Sequence, residues 1–212
     1  SLRVSKSYFF RRYSFINRNN FVSLPANESN MLDIEKDIAI HLQDPEKRRK
    51  AFSQVVSLYG EKLYWQIRKM VLNHDDADDL LQNTFLKAWT NLDYFRGEAK
   101  ISTWLFKIAI NECITFLNKQ RTQNNISIDD TDVFLLERLR SDEYFCGDDI
   151  QRKLQEAIAL LPDKQRLVFN MKYFDDMKYE EMSEILGTSV GALKASYHHA
   201  VKKVEEYLTK DV

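Results

Sequence analysis

Turn-forming residues are scarce in this chain: its 212 residues include 5 glycines and 3 prolines. So few reverse-turn residues argue against a β-sandwich or barrel and for helices. Cysteine is scarcer still. Cys113 and Cys146 lie far apart, with no companion at metal-ligand spacing, which excludes a disulfide framework or zinc module and leaves two reduced thiols as the expectation. No apolar run approaches the ~20 residues of a membrane span. Near the start, Arg11 and Arg12 interrupt the aromatic run Tyr8-Phe9-Phe10, so no signal-peptide core forms. A cytoplasmic protein without membrane insertion is expected. A global excess of one charge is also missing, since the net formal charge is −1.

What the sum hides, the distribution shows. Residues 1–30 carry 5 basic and 1 acidic side chains, and residues 31–121 carry 14 and 13. Residues 122–150 carry 2 basic and 8 acidic, and residues 151–212 carry 10 of each. An acidic stretch between two near-neutral blocks has the composition of a solvated linker. The first thirty residues begin with Ser1, lack periodicity and stop just before Met31. They are expected to form a dispensable, poorly ordered N-terminal extension.

From Phe52 the apolar residues recur at helical spacing: Phe52, Val55, Val56, Tyr59, Leu63, Ile67, Met70 and Val71. His74-Asp75-Asp76 breaks the pattern and offers capping groups. A second stripe follows through Ala77, Leu80, Leu81, Thr84, Phe85, Ala88, Trp89 and Leu92. Gly97 marks a loop, and Ser102 or Thr103 is placed to cap a third helix through Trp104, Leu105, Ile108, Ala109 and Ile114. With a shorter helix near 33–43, these make a helical bundle. Residues 122–149 lose the pattern, apart from a short helical piece at 133–140. Beyond them, helices are expected at 150–160, 163–174, 178–186 and 189–208, with breaks at Leu161-Pro162, Asp175-Asp176 and Gly187-Thr188. No strand-like alternation occurs. The fold class is all-α: two helical domains joined by an acidic linker.

The clearest motif runs from Tyr179 to Lys194 and has the spacing of a helix-turn-helix. Small Ser183 permits a close crossing, Gly187 suits a turn requiring positive φ, and Met182, Ile185, Leu186, Val190 and Leu193 lock the crossing. Ser189 caps the second helix, directing its positive end towards phosphate. That helix offers Ala192, Lys194, Ala195, Ser196, His198 and His199 to a major groove, with Lys202 and Lys203 near the backbone. An ordinary helical hairpin is the structural alternative. Adjacent His198 and His199 point about 100° apart on a helix, which argues against a shared metal. The helix is less basic than a stand-alone DNA binder requires, so weak binding is expected of it alone.

In the first block, Asp76, Asp78 and Asp79 suit a first helical turn by dipole alone. A carboxylate hydrolase is the enzyme alternative, but no His, Lys or second acidic cluster converges on them in sequence. Residues 95–111 interleave Phe95, Trp104 and Phe106 with Arg96, Lys100 and Lys107, followed by Asn111, Lys119 and Arg121. Aromatic faces stack on unpaired bases while cations track the backbone, so this mixture suits melted DNA. At least one of the three aromatics is expected in the core.

In order and spacing these pieces resemble the sigma-70 family, specifically its extracytoplasmic-function group. The acidic helix ending Gln82-Asn83-Thr84-Phe85 is similar to the family's polymerase-docking segment. Phe95-Arg96-Gly97 with Thr103-Trp104-Leu105 and Asn111 is similar to its promoter-melting segment, and Leu161-Pro162 with the helix-turn-helix to its distal-element-reading domain. The resemblance covers about residues 50–121 and 150–208. It implies domains at 31–121 (docking and proximal-element melting) and 150–212 (distal element), tethered by 122–149.

The resemblance further implies that Asp78, Asp79, Leu80, Gln82 and Phe85 face core RNA polymerase. Glu98, Ala99, Lys100 and Ile101 would form the loop that holds a flipped base, next to Trp104, with Asn111 on the reading face. Arg96, Lys107, Lys119 and Arg121 would meet phosphates. Ser189, Ala192, Lys194, Ser196, His198, His199 and Lys202 would serve the distal element. Promoter DNA and core RNA polymerase are the implied partners, with an anti-sigma factor as a further one; no catalysis, metal or cofactor is expected. Departures from the family pattern fall on the recognition helix (Ala192-Leu193-Lys194-Ala195-Ser196-Tyr197, and His199) and on Thr115. The alternative function is a stand-alone helix-turn-helix regulator, which has no need of a melting stretch at 95–111.

Overall fold

A computed structural model describes residues 28–95, 97, 99–123, 135–139 and 149–210. The expectations for residues 1–27, for Cys146, for Arg96 and Glu98, and for most of the 122–149 tether lie outside the described residues. Two units are distinguished, Ser1–Asp37 and Ile38–Val212. Helix α1, Glu28–Gln43, begins in the first and ends in the second. The unit Ile38–Val212 holds the second expected block and all of the first from residue 38 on.

Helix α2, Arg48–Val71, follows a tight turn in which the Asp44 carboxylate accepts the Glu46 N–H at 3.0 Å. That bond, then the Lys47 ammonium, holds the Asp44 carboxyl below its ordinary range. The helix stops because Leu72 adopts a left-handed φ of 59° and returns its N–H to the Arg68 carbonyl at 2.9 Å. Such a conformation is costly for a branched residue. Leu72 is nevertheless buried, so apolar contact offsets the strain.

Helix α3, His74–Thr90, is capped by Asn73, whose side-chain oxygen accepts the Asp76 N–H at 3.0 Å. This corrects the expected cap: His74-Asp75-Asp76 forms the first turn instead, where Asp75 and Asp76 suit the positive helix end. A 3-10 turn, Leu92–Tyr94, leads towards α4, Ile101–Gln123. The start of α4 is also earlier than expected. The Trp104 N–H reaches the Lys100 carbonyl at 3.1 Å, which places Ser102 and Thr103 inside the first turn.

The three helices pack mutually. Val55, Leu63 and Ile67 of α2, Ala77, Leu81, Phe85 and Ala88 of α3, and Leu105, Ala109 and Cys113 of α4 are all buried. Each large aliphatic side chain so buried contributes ~1.5–3 kcal/mol relative to exposure. Phe52 stands edge-on to Phe85 and Trp89, with centroids 6.2 and 5.1 Å away. Trp89, expected inside, lies at the border at 38% exposure because its ring covers Phe52 from outside.

The second block holds α5 (Asp149–Ala159), α6 (Asp163–Tyr173), α7 (Tyr179–Leu186) and α8 (Val190–Thr209). Pro162 separates α5 from α6, and Asp176, at φ 43°, lies in the break before α7. Ala157, Ile158, Leu161, Phe169, Ala200 and Val204 form its core. Residues 135–139 are helical, within the span expected for the linker. All described regular structure is helical, as the patterning requires.

The blocks meet where α2 packs against α6 and α4 against α7. Leu167 of α6 closes a crevice lined by Ile67, Met70, Ile110 and Cys113. Burial pushes the Cys113 thiol from its ordinary 9.0 up to about 12, with Glu112 adding to the effect.

Two predictions follow from this packing. Phe85→Ala should lower stability by ~3–5 kcal/mol in urea unfolding followed by circular dichroism; a loss well under 1 would show that the ring is not packed. The folded chain resists ionising Cys113, so its contribution is fully present below pH 9.0 and lost as pH climbs towards about 12. The urea midpoint should therefore fall more steeply between about pH 9 and about pH 11 in the unaltered chain than in Cys113→Ala.

Candidate nucleic-acid interface

The Tyr179–Lys194 motif folds as its residues dictate. Met182 and Ile185 of α7 and Leu193 of α8 are buried at the crossing. Gly187 takes φ 63° and donates its N–H to the Ser183 carbonyl at 2.9 Å, so the turn uses the freedom that glycine alone has cheaply. Ser189 caps α8, its hydroxyl oxygen accepting the Ala192 N–H at 3.3 Å. The first turn of α8 carries no acid to cancel its positive end.

Leu193, Ala200 and Val204 turn one face of α8 into the core, and Tyr197 stacks on Phe169 at 5.8 Å. The opposite face exposes Ala192, Ala195, His198, His199 and Lys202. Ser196 lies on the flank and is half-buried, so of the expected distal set it is the least accessible. Lys194 is exposed, with its ammonium 5.6 Å from the Tyr179 ring centroid; Lys172 stands 5.6 Å from the same ring. Lys202 reaches back to Glu206 at 3.8 Å. Several cations on this surface are thus partly engaged already.

In the first block, Phe95 and Phe106 are buried, whereas Trp104 is half-exposed with its ring 4.9 Å from that of Phe95. Of these three aromatics, Trp104 is the one with an accessible ring. Ala99 and Lys100 are exposed at the start of α4, and Lys107, Asn111 and Lys119 are exposed along it. Arg121 is not free: its guanidinium meets Asp163 of α6 at 2.8 Å.

On α3, Asp79 is exposed and Asp78 and Gln82 are half-exposed. Leu80 and Phe85, expected to face a partner, are 4% and 2% exposed and point into the bundle. They support the surface and do not form it. Burial raises the Asp78 carboxyl above its ordinary range, and His74, 3.5 Å away, opposes this. His74 is itself held by the Tyr64 hydroxyl at 2.7 Å. The same face exposes Asn83, which is in the docking motif but not among the residues expected to face the polymerase, and Leu86, which is in neither. Leu86 falls outside the apolar stripe, and that was the available signal.

Comparison with known proteins gives this arrangement a family. The profile for Sigma-70 region 2 matches residues 55–123, and that for Sigma-70, region 4 matches residues 151–204. The ECF RNA polymerase sigma factor SigW of Bacillus subtilis is 30% identical over 169 residues, covering 74% of this chain and 89% of that relative. The chain belongs to the sigma-70 family. It falls in the extracytoplasmic-function group and acts in transcription initiation. A second relative, RNA polymerase sigma factor SigV of the same organism, is 31% identical over 141 residues, covering 66% of this chain and 81% of its own.

Two solved structures share the fold. CnrH in complex with the cytosolic domain of CnrY aligns at TM-score 0.61 and 22% identity, over 84% of this chain and 99% of that one. The sigma factor RpoE in complex with the anti-sigma factor NepR from Bartonella quintana aligns at 0.58 and 23%, over 77% and 99%. Sigma factors of this family are regulatory, non-catalytic subunits. Among the described residues no helix is long and apolar enough to cross a membrane.

The turn yields a prediction. A Cβ at position 187 would meet nothing within 4 Å, so only backbone strain opposes substitution. Gly187→Ala should cost ~1–2 kcal/mol and Gly187→Asn distinctly less, measured by urea unfolding. Equal costs would contradict a left-handed turn.

Proposed function

We propose that this sigma factor divides promoter recognition between its two blocks and obtains its affinity from core RNA polymerase. Residues 31–121 dock on the polymerase and melt the proximal element. Residues 150–212 read the distal element, and 122–149 tether the two. Docking uses Asp78, Asp79 and Gln82, held in place from behind by Leu80 and Phe85. Ala99, Lys100 and Trp104 receive an unpaired base, and Arg96 and Glu98 belong to the same proposed set. Asn111 reads, and Lys107, Lys119 and Arg121 meet phosphates. At the distal element, Ala192, Lys194, His198 and His199 face base edges, flanked by Ser196, while Ser189 and Lys202 approach the backbone.

The observation that carries this reading is the thin charge of the recognition helix. Lys194, Lys202 and Lys203 are the lysines and arginines of α8, all exposed, and Lys202 is already near Glu206. Phosphate neutralisation supplies most of non-specific affinity and scales with the number of cations engaged, so a helix with so few binds weakly on its own. A polymerase that holds the whole chain on the promoter removes that limit by raising effective concentration. The reading includes a cytoplasmic location and no catalytic activity. An anti-sigma partner, of the kind named in the RpoE complex, would compete with polymerase for the α3 face.

Run-off transcription with core polymerase and a promoter library tests the reading directly; promoter-dependent transcripts that require the chain are expected, and their absence contradicts it. Asp79→Lys combined with Gln82→Ala should weaken core binding by about tenfold, ~1.4 kcal/mol, with helicity unchanged. Lys194→Ala should leave core binding intact while reducing use of the distal element. Loss of core binding in Lys194→Ala would contradict the division of labour.

A further inference from the structure

Lys194 is the one lysine or arginine in the first two turns of α8; Lys202 and Lys203 follow about 12 Å further along the axis. Its surroundings differ from those of Lys202, whose ammonium points at the Glu206 carboxylate. Among the described residues no carboxylate pairs with Lys194. Its ammonium stands instead 5.6 Å from the centroid of the Tyr179 ring, which opens α7 and is half-buried.

A second lysine steadies that ring. Lys172, in the last turn of α6, is also 5.6 Å from the Tyr179 centroid, but its donors are engaged. Asp176 accepts from it at 2.8 Å and the Met177 carbonyl at 3.3 Å. The bond between Lys172 and Asp176 holds the ammonium above its ordinary range and the carboxyl below it, so both stay charged at neutral pH. Asp176 makes this bond from a left-handed φ of 43°, in a break tied to α6 by the Met177 N–H on the Met171 carbonyl at 3.0 Å.

The two lysines therefore share a ring and differ in what they have left to offer. A lysine ammonium sits on a flexible four-carbon stem, and directing it to one base edge costs that freedom on binding. A carboxylate would restrain it by accepting its donors and offsetting its charge. An aromatic face attracts the ammonium through the ring quadrupole, leaving the charge intact and the outward N–H donors free for a base acceptor. Repulsion between the two ammoniums is reduced because Asp176 offsets the charge of Lys172.

We propose that Tyr179 is a positioning residue for distal-element recognition: its ring, steadied by Lys172, holds the Lys194 ammonium ready for the major groove. The proposal deepens the reading above and rests on it, since Lys194 has to meet the distal element. Specificity at that contact then depends on a side chain of the first helix of the motif, acting through Lys194.

The test uses holoenzyme assembled from core polymerase and the full chain. It reads the ratio of run-off transcript from a promoter with its distal element intact to one with that element scrambled. Lys194→Ala should lower the ratio by about tenfold. Tyr179→Phe should keep it. The same phenyl ring perfluorinated, similar in shape but reversed in quadrupole, should lower it by about two- to fivefold. In the Lys194→Ala background the fluorinated ring should change nothing further. Core binding and the urea midpoint should stay level between the phenyl and fluorophenyl variants, which separates positioning from folding. A fluorinated ring as good as Tyr179→Phe, or one equally harmful with and without Lys194, overturns the positioning role and leaves Lys194 at the distal element. A loss in Tyr179→Phe equal to that of the fluorinated ring assigns the effect to the hydroxyl and overturns it too. No loss in Lys194→Ala overturns the positioning role together with the placing of Lys194 on the base edges.

Discussion

The exposed face of α8 carries few cations for a helix that has to hold a DNA duplex, and its neighbours already engage some of them. Phosphate attraction supplies most of the affinity of protein for DNA and none of the sequence information. A recognition helix poor in such contacts discriminates bases without gripping the duplex. Grip has to come from elsewhere, which is why a sigma factor of this composition makes physical sense as one part of a larger enzyme. The near-zero net charge has the same meaning: the chain lacks a global field to draw it onto DNA indiscriminately.

The two elements proposed to read DNA are positioned by different means. In the helix-turn-helix the determinants are local: the left-handed Gly187, the Ser189 cap and three buried apolar side chains set the angle of α8. In the first block helix α4 is held by long-range packing against α2 and α3, and its exposed Lys107 and Asn111 are a by-product of burying Leu105, Ala109 and Cys113. Position there depends on the whole bundle. The seam between the blocks sets Leu167 in a mainly apolar crevice with the Lys69–Asp175 and Arg121–Asp163 ion pairs beside it.

Much of this was legible in the residue order. The apolar stripes located the helices to within a few residues, because a 3.6-residue period leaves little choice when Gly and Pro are scarce. The helix-turn-helix was legible in detail since its turn and cap are encoded within ten residues. The docking face was less so. Leu80 and Phe85 match the family motif in position, yet they lie on the same stripe as Ala77, Leu81 and Ala88, and that stripe is the one the bundle buries. A motif locates a segment, whereas periodicity decides which of its side chains reach the surface. The pairing of Arg121 with Asp163, 42 positions away, left no trace in the sequence, because nothing local ties a basic residue at one helix end to an acid opening another. Leu72 in a left-handed conformation was equally hidden, since a branched residue adopts it only where burial compensates.

The central claim is that recognition here is borrowed grip combined with local reading. Fluorescence anisotropy of a labelled promoter duplex, titrated with the chain alone and with the chain plus core RNA polymerase at about 0.15 M salt, measures it most directly. The account predicts no sequence preference and weak, salt-sensitive binding for the chain alone, with tight promoter-selective binding once polymerase is present. Tight, selective binding by the chain without polymerase would contradict it.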